Sequence, residues 1–128
     1  MSCSIDYFRD EIRNRFYIPG AVKQAWAAEL QILEQIDRIC RENNITYFAD
    51  WGTMLGCVRH GGFVPWDDDL DICMKREDYT RFKELAPKLL PKEYTIHDYM
   101  TKDNHWLFLS RVVNNEHICF EPEHLEKN

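Results

Sequence analysis

The stretch Trp66-Asp67-Asp68-Asp69-Leu70-Asp71-Ile72 decides how this chain is read. Four carboxylates are packed into a turn that runs directly into apolar residues. A strand presents residues two apart on one face. A strand over residues 70–74 therefore projects Asp69 and Asp71 together at its start and turns Leu70 and Ile72 into the core. Like charges on one face repel, and a divalent cation between them relieves the repulsion. Hard carboxylate oxygens with open positions suit Mg²⁺ or Mn²⁺ held jointly with substrate phosphates. A solvated acidic turn is the bland alternative, and the abutting apolar strand weighs against it. A calcium loop is a second alternative. Asp67, Asp69, Asp71 and Asp78 fit its ligand spacing, but Ile72 stands where the sharp turn needs Gly.

Upstream, Ile45–Trp51 is short, β-branched and aromatic, and reads as a buried strand. It meets Gly52-Thr53 and then a short helix over residues 54–58. Gly allows close backbone approach, and helix-start N–H groups with a Thr hydroxyl can hold a phosphate. Such a turn is common, so its weight comes from the aspartates downstream. Residues 59–68 read as a loop containing Gly61-Gly62 and Pro65. Arg59 offers a guanidinium fork for phosphate. His60 is evenly balanced between a phosphate contact and an ordinary loop residue.

Further out, Val22, Trp26, Leu30, Leu33, Ile36 and Cys40 recur at helical steps, with Ile32 and Ile39 beside them. They predict a helix over 21–43, ended by Asn43-Asn44 and used for packing. Residues 1–20 read as an arm or short helix broken off by Pro19-Gly20, and 21–128 as one domain. A second helix is expected over 77–90, with Tyr79, Phe82, Ala86 and Leu89 on one face and Pro87 kinking or dividing it. Strands are expected over 94–99, 106–113 and 117–120, with Asn114-Asn115 as a tight turn. The order predicts an α/β (α+β) domain, a mixed β-sheet flanked by helices.

A chain of 128 residues with 45% hydrophobic content can build one real core. The net charge of −6 argues against nucleic-acid binding through a basic face. Five cysteines are an odd number, no secretory leader is recognisable at the start, and no apolar run reaches transmembrane length. The expectation is a cytoplasmic protein with reduced, mostly buried thiols. Cys57 with His60, and His117 with Cys119, are the best pieces for a thiolate metal site, but no paired CxxC framework supports a structural zinc.

Taken together, Trp51-Gly52-Thr53-Met54-Leu55-Gly56 and Val58–Ile72 resemble the signature of the LicD (phosphocholine transferase) family, whose core pattern fukutin-type proteins share. The resemblance implies a nucleotidyltransferase fold. It implies metal-dependent transfer of a phospho-alcohol, phosphocholine from CDP-choline, to a hydroxyl of a cell-surface glycan or glycolipid such as a lipopolysaccharide or teichoic acid precursor. By motif position, Gly52 and Thr53 resemble the phosphate-binding turn, with Arg59 and His60 beside them. Asp69 and Asp71 resemble the catalytic, metal-binding pair. Asp67 is a further ligand or, like Asp68, a support behind the pair. Trp51, Trp66 and Tyr79 are candidates for an aromatic wall against a cationic head group.

The later Gly-hydrophobic-Asp stretch that supplies a third carboxylate in such chains is not recognisable here, and Glu116 and Glu121 are the nearest substitutes. The chain is therefore expected to be an N-terminal piece of a longer family domain, with weak or no turnover alone. Three rivals stand beside this reading: an Asp-x-Asp glycosyltransferase using a sugar nucleotide, a catalytically silent nucleotide-binding fragment, and an antibiotic-modifying nucleotidyltransferase.

Overall fold

In the computed structural model the described residues are 4–98, 100 and 108–116. A 3-10 turn at Ile5–Phe8 precedes a hairpin of β1 (Glu11–Arg13) and β2 (Phe16–Ile18). Its two-residue turn, Asn14-Arg15, has φ of 51° and 66°. Positive φ at both central positions matches the right-handed twist of the flanking strands. The segment expected as an arm or single helix thus carries a hairpin. The sequence hides it because Arg15 is a poor residue for that turn.

The long helix α1 (Gly20–Glu42) follows Pro19, whose extended backbone caps its start. It ends where Asn43 and then Asn44, at φ 52°, leave helical geometry. Trp26, Ile36, Ile39 and Cys40 are its buried apolar residues, while Val22, Leu30 and Leu33 are only partly covered. Lys23 is also buried and pairs with Glu11 of β1, which fastens the hairpin to the helix. A Cβ on Gly20 would overlap the Phe8 carbonyl, so the first helical residue must be small for the N-terminal turn to close over it.

Strand β3 (Tyr47–Ala49) pairs antiparallel with β4 (Ile72–Met74), and helix α2 (Trp51–His60) lies between them in sequence. Helix α3 (Arg76–Leu89) and strands β5 (Tyr94–His97) and β6 (Arg111–Asn114), again antiparallel, follow. Pro87 falls in the last turn of α3, where it terminates rather than divides the helix. One core joins these elements. Ile36, Ile39 and Cys40 of α1 meet Ile45 and Phe82 and Ala86 of α3, with Tyr47, Ile72, Met74, Ile96 and Val112 packed against them.

Helices and strands mix as an α+β domain, with the strands among the described residues in three antiparallel pairs. Several details differ from the sequence expectation. The second strand begins at Ile72, so Leu70 lies in the preceding turn and is only partly buried. Helix α2 is twice the expected length and includes Arg59 and His60 in its last turn. Cys40 is buried but Cys57 and Cys73 are exposed, so among the described residues the thiols are not mostly interior; Cys3 and Cys119 lie outside them. The strand expected at 117–120 and the first part of that at 106–113 also lie outside them.

Candidate metal centre

The site is built where β3 turns into α2 and the acidic turn runs into β4. The ladder between the strands extends one step beyond Ala49–Ile72, with the Asp50 N–H donating to the Asp71 carbonyl at 3.0 Å. On the other side, the Asp71 N–H donates to Thr53 Oγ1 at 2.8 Å. Both polar groups of the Asp71 backbone are therefore held, one by the strand and one by the first turn of α2. Thr53 positions an aspartate, and its hydroxyl keeps a proton to donate elsewhere.

The Asp67, Asp68 and Asp69 side chains form the only group of three metal-competent side chains among the described residues, with ligand atoms all within 4.8 Å of one another. Cys57 and His60 form no such group. The cluster depends on two close approaches. A Cβ on Gly52 would overlap the Asp67 carboxylate, so Gly52 gives that side chain its place against α2. The Trp26 Nε1–H of α1 donates to the Asp67 carbonyl at 2.8 Å. Trp26 itself stacks on Phe63, centroids 4.9 Å apart, with the Arg13 guanidinium 5.8 Å from its ring centre. Gly56 lets the loop return over α2, because a Cβ there would overlap the Gly62 carbonyl. Gly61, at φ 64°, reverses the chain at the end of α2, with the Gly62 N–H donating to the Gly56 carbonyl.

Asp71 stands beside this group rather than in it. Partial burial, then Asp69 and Asp50, push its carboxyl above the ordinary value. Asp69 is pushed up by partial burial and by Asp67 and Asp68, with Arg111 of β6 acting in the opposite direction. A fifth carboxylate arrives from α1. Glu29 is pushed up to about 8, first by burial and then by Asp69, Asp68, Asp67 and Asp71. Its Oε2 atom is buried and has no hydrogen-bond partner. Sequence reasoning missed Glu29, Asp50 and Arg111. Only for Glu29 was there a signal, its place one turn after Trp26 on the same helix face.

The remaining candidates separate. Arg59 is exposed and forms no ion pair among the described residues. His60 is drawn toward the hairpin: the Asn14 amide donates to its Nδ1 at 2.8 Å, and its ring meets the edge of Trp66 at 6.0 Å. Trp51 and Trp66 are exposed, at 78% and 62%, rather than packed in the core. Trp51 also holds φ at 42°, a strained conformation for a bulky residue at the opening of α2. Tyr79 is already engaged: its hydroxyl bonds Ser110 Oγ at 2.6 Å, and the Arg76 and Lys83 cations lie near its ring.

Comparison with known proteins bears on this arrangement. The family model described as LicD/FKTN/FKRP, nucleotidyltransferase domain, matches residues 44–122, more than half of the chain. The lipopolysaccharide cholinephosphotransferase LicD of Haemophilus influenzae is 43% identical over 56 residues, which are 44% of this chain and 21% of that protein. The uncharacterized protein RT0683 of Rickettsia typhi is 39% identical over 66 residues, 52% of this chain and 21% of that protein. The human ribitol 5-phosphate transferase FKRP is 37% identical over 41 residues, 32% of this chain and 8% of that protein. The chain spans about a fifth of the length of the first of these relatives. No solved structure matches it. The matched segment contains β3, α2, the aspartate turn and β4, and the chain belongs to the LicD/FKTN/FKRP nucleotidyltransferase-domain family.

Proposed function

We propose that this chain carries the metal- and nucleotide-binding part of a transferase that moves a phospho-alcohol from a nucleotide-activated donor, CDP-choline, to a hydroxyl of a cell-surface glycan or glycolipid. The observation that carries the reading is the Asp67–Asp69 cluster seated against Gly52, with Asp71 fixed by Thr53, inside the segment that matches the family. The named relatives act on phosphocholine and ribitol 5-phosphate, which favours a phospho-alcohol over the sugar of a glycosyltransferase.

The residues fit a hard divalent cation. The donor set is entirely carboxylate oxygen, Asp69 and Asp71 are held above their ordinary pKa by partial burial and then by neighbouring aspartates, and the buried Glu29 Oε2 on α1 has no hydrogen-bond partner. Asp67, Asp69 and Asp71 would hold Mg²⁺ or Mn²⁺. When bound, the ion neutralises charge on the donor's diphosphate. The chain's own contribution is positioning. Thr53 and Asp50 fix the backbone of Asp71, and Trp26 fixes that of Asp67. Arg59, exposed at the end of α2, is free to meet a phosphate through its fork. Trp51 and Trp66 present exposed aromatic faces on which a quaternary ammonium head group can rest.

Titration calorimetry with CDP-choline in Mg²⁺ tests the reading. Binding that needs the metal and disappears in Asp69→Asn supports it. Binding of a UDP-sugar in preference to CDP-choline contradicts it.

A further inference from the structure

We propose that Glu29 of α1 is a ligand of the divalent cation at the aspartate turn, supplying a carboxylate from a helix that precedes the segment matched to the family. The inference rests on the metal reading above and adds a ligand to it. Glu29 follows Trp26 by three residues, so the two side chains share one face of α1. Trp26 bonds the carbonyl of Asp67, which sets that face against the aspartate turn. Glu29 Oε2 is buried there without a hydrogen-bond partner. The charges that bear on Glu29 are those of Asp69, Asp68, Asp67 and Asp71, all negative. A buried polar oxygen left unpaired costs free energy. A cation shared with Asp69 satisfies that oxygen and removes the repulsion together. A protonated Glu29 that merely fills space against the turn is the competing role, and it leaves metal affinity untouched.

Electron paramagnetic resonance of free Mn²⁺ measures affinity in the wild-type chain, in Glu29→Gln and in Asp69→Asn. Glu29→Gln is expected to weaken Mn²⁺ binding at least about ten-fold, the scale on which supporting groups of metal sites act. Its melting temperature in EDTA is expected to equal or exceed that of wild type, because the unpartnered carboxylate is gone. Wild-type Mn²⁺ affinity in Glu29→Gln, alongside loss in Asp69→Asn, overturns the role of Glu29 and leaves the aspartate centre standing. Absence of binding in the wild type overturns both. A measurement without any variant stands beside these: saturating Mg²⁺ is expected to shift the Glu29 carboxyl ¹³C resonance together with that of Asp69. Movement of Asp69 alone overturns the proposal.

Discussion

Replacing Thr53 by Val swaps the hydroxyl that accepts the Asp71 N–H for a methyl of the same shape. Thr and Val have similar helix propensities, so the change isolates the hydrogen bond. A typical internal hydrogen bond contributes about 1 kcal/mol net, and leaving a buried donor unpaired adds to that. The bond is only partly buried, so the expected loss is about 1–2 kcal/mol. For a chain of this size each kcal/mol lowers the melting temperature by roughly 3–5 °C. Urea unfolding without metal or nucleotide reads the loss, and Thr53→Ser, which keeps the hydroxyl, serves as the control. The account requires Thr53→Val to be destabilised and Thr53→Ser to stay near wild type. Equal stability of the two would refute it and return Thr53 to a role in ligand contact alone.

Three other perturbations follow from the same geometry. Gly52→Ala and Gly56→Ala both gain helix propensity, about 1 kcal/mol each, yet are expected to diverge. The first displaces the movable Asp67 carboxylate, leaving stability near wild type while Mn²⁺ affinity falls; the second meets the Gly62 backbone and loses about 1–3 kcal/mol in urea unfolding. Trp26→Phe keeps an aromatic ring against Phe63 but removes both the donor to the Asp67 carbonyl and part of a fully buried indole, and is expected to cost at least about 1–2 kcal/mol by the same assay. In EDTA, stability is expected to fall as pH rises from about 4.5 to about 8, because Glu29 holds its proton more tightly folded than unfolded and the folded state loses that advantage across the window. Thermal melts of wild type and Glu29→Gln across that range check it: the fall should be smaller in the variant.

What was legible in the sequence follows the reach of each signal. The apolar stripe from Trp26 to Cys40 announced α1, because helical periodicity is local and the core lies along one face. The aspartate run stood out because four neighbouring carboxylates repel one another, and the structure gathers Asp67, Asp68 and Asp69 where the run leads into β4. The extent of α2 was hidden by Gly52 and Gly56, which are poor helix formers and are there to let Asp67 and the Gly62 carbonyl approach. His60 read as a loop residue because its partners, Asn14 and Trp66, come from other parts of the chain. Glu29 looked like an ordinary polar helix residue. Only the packing of α1 against the turn, through Trp26, brings it to the aspartates.

The most direct test of the central claim is a Mn²⁺ titration followed by NMR of the labelled protein, with and without CDP-choline, repeated in Asp69→Asn/Asp71→Asn. The account predicts broadening centred on Gly52, Asp67, Asp69 and Asp71, strengthened by CDP-choline and absent in the double variant. Broadening scattered over surface carboxylates and unchanged in the variant would contradict it.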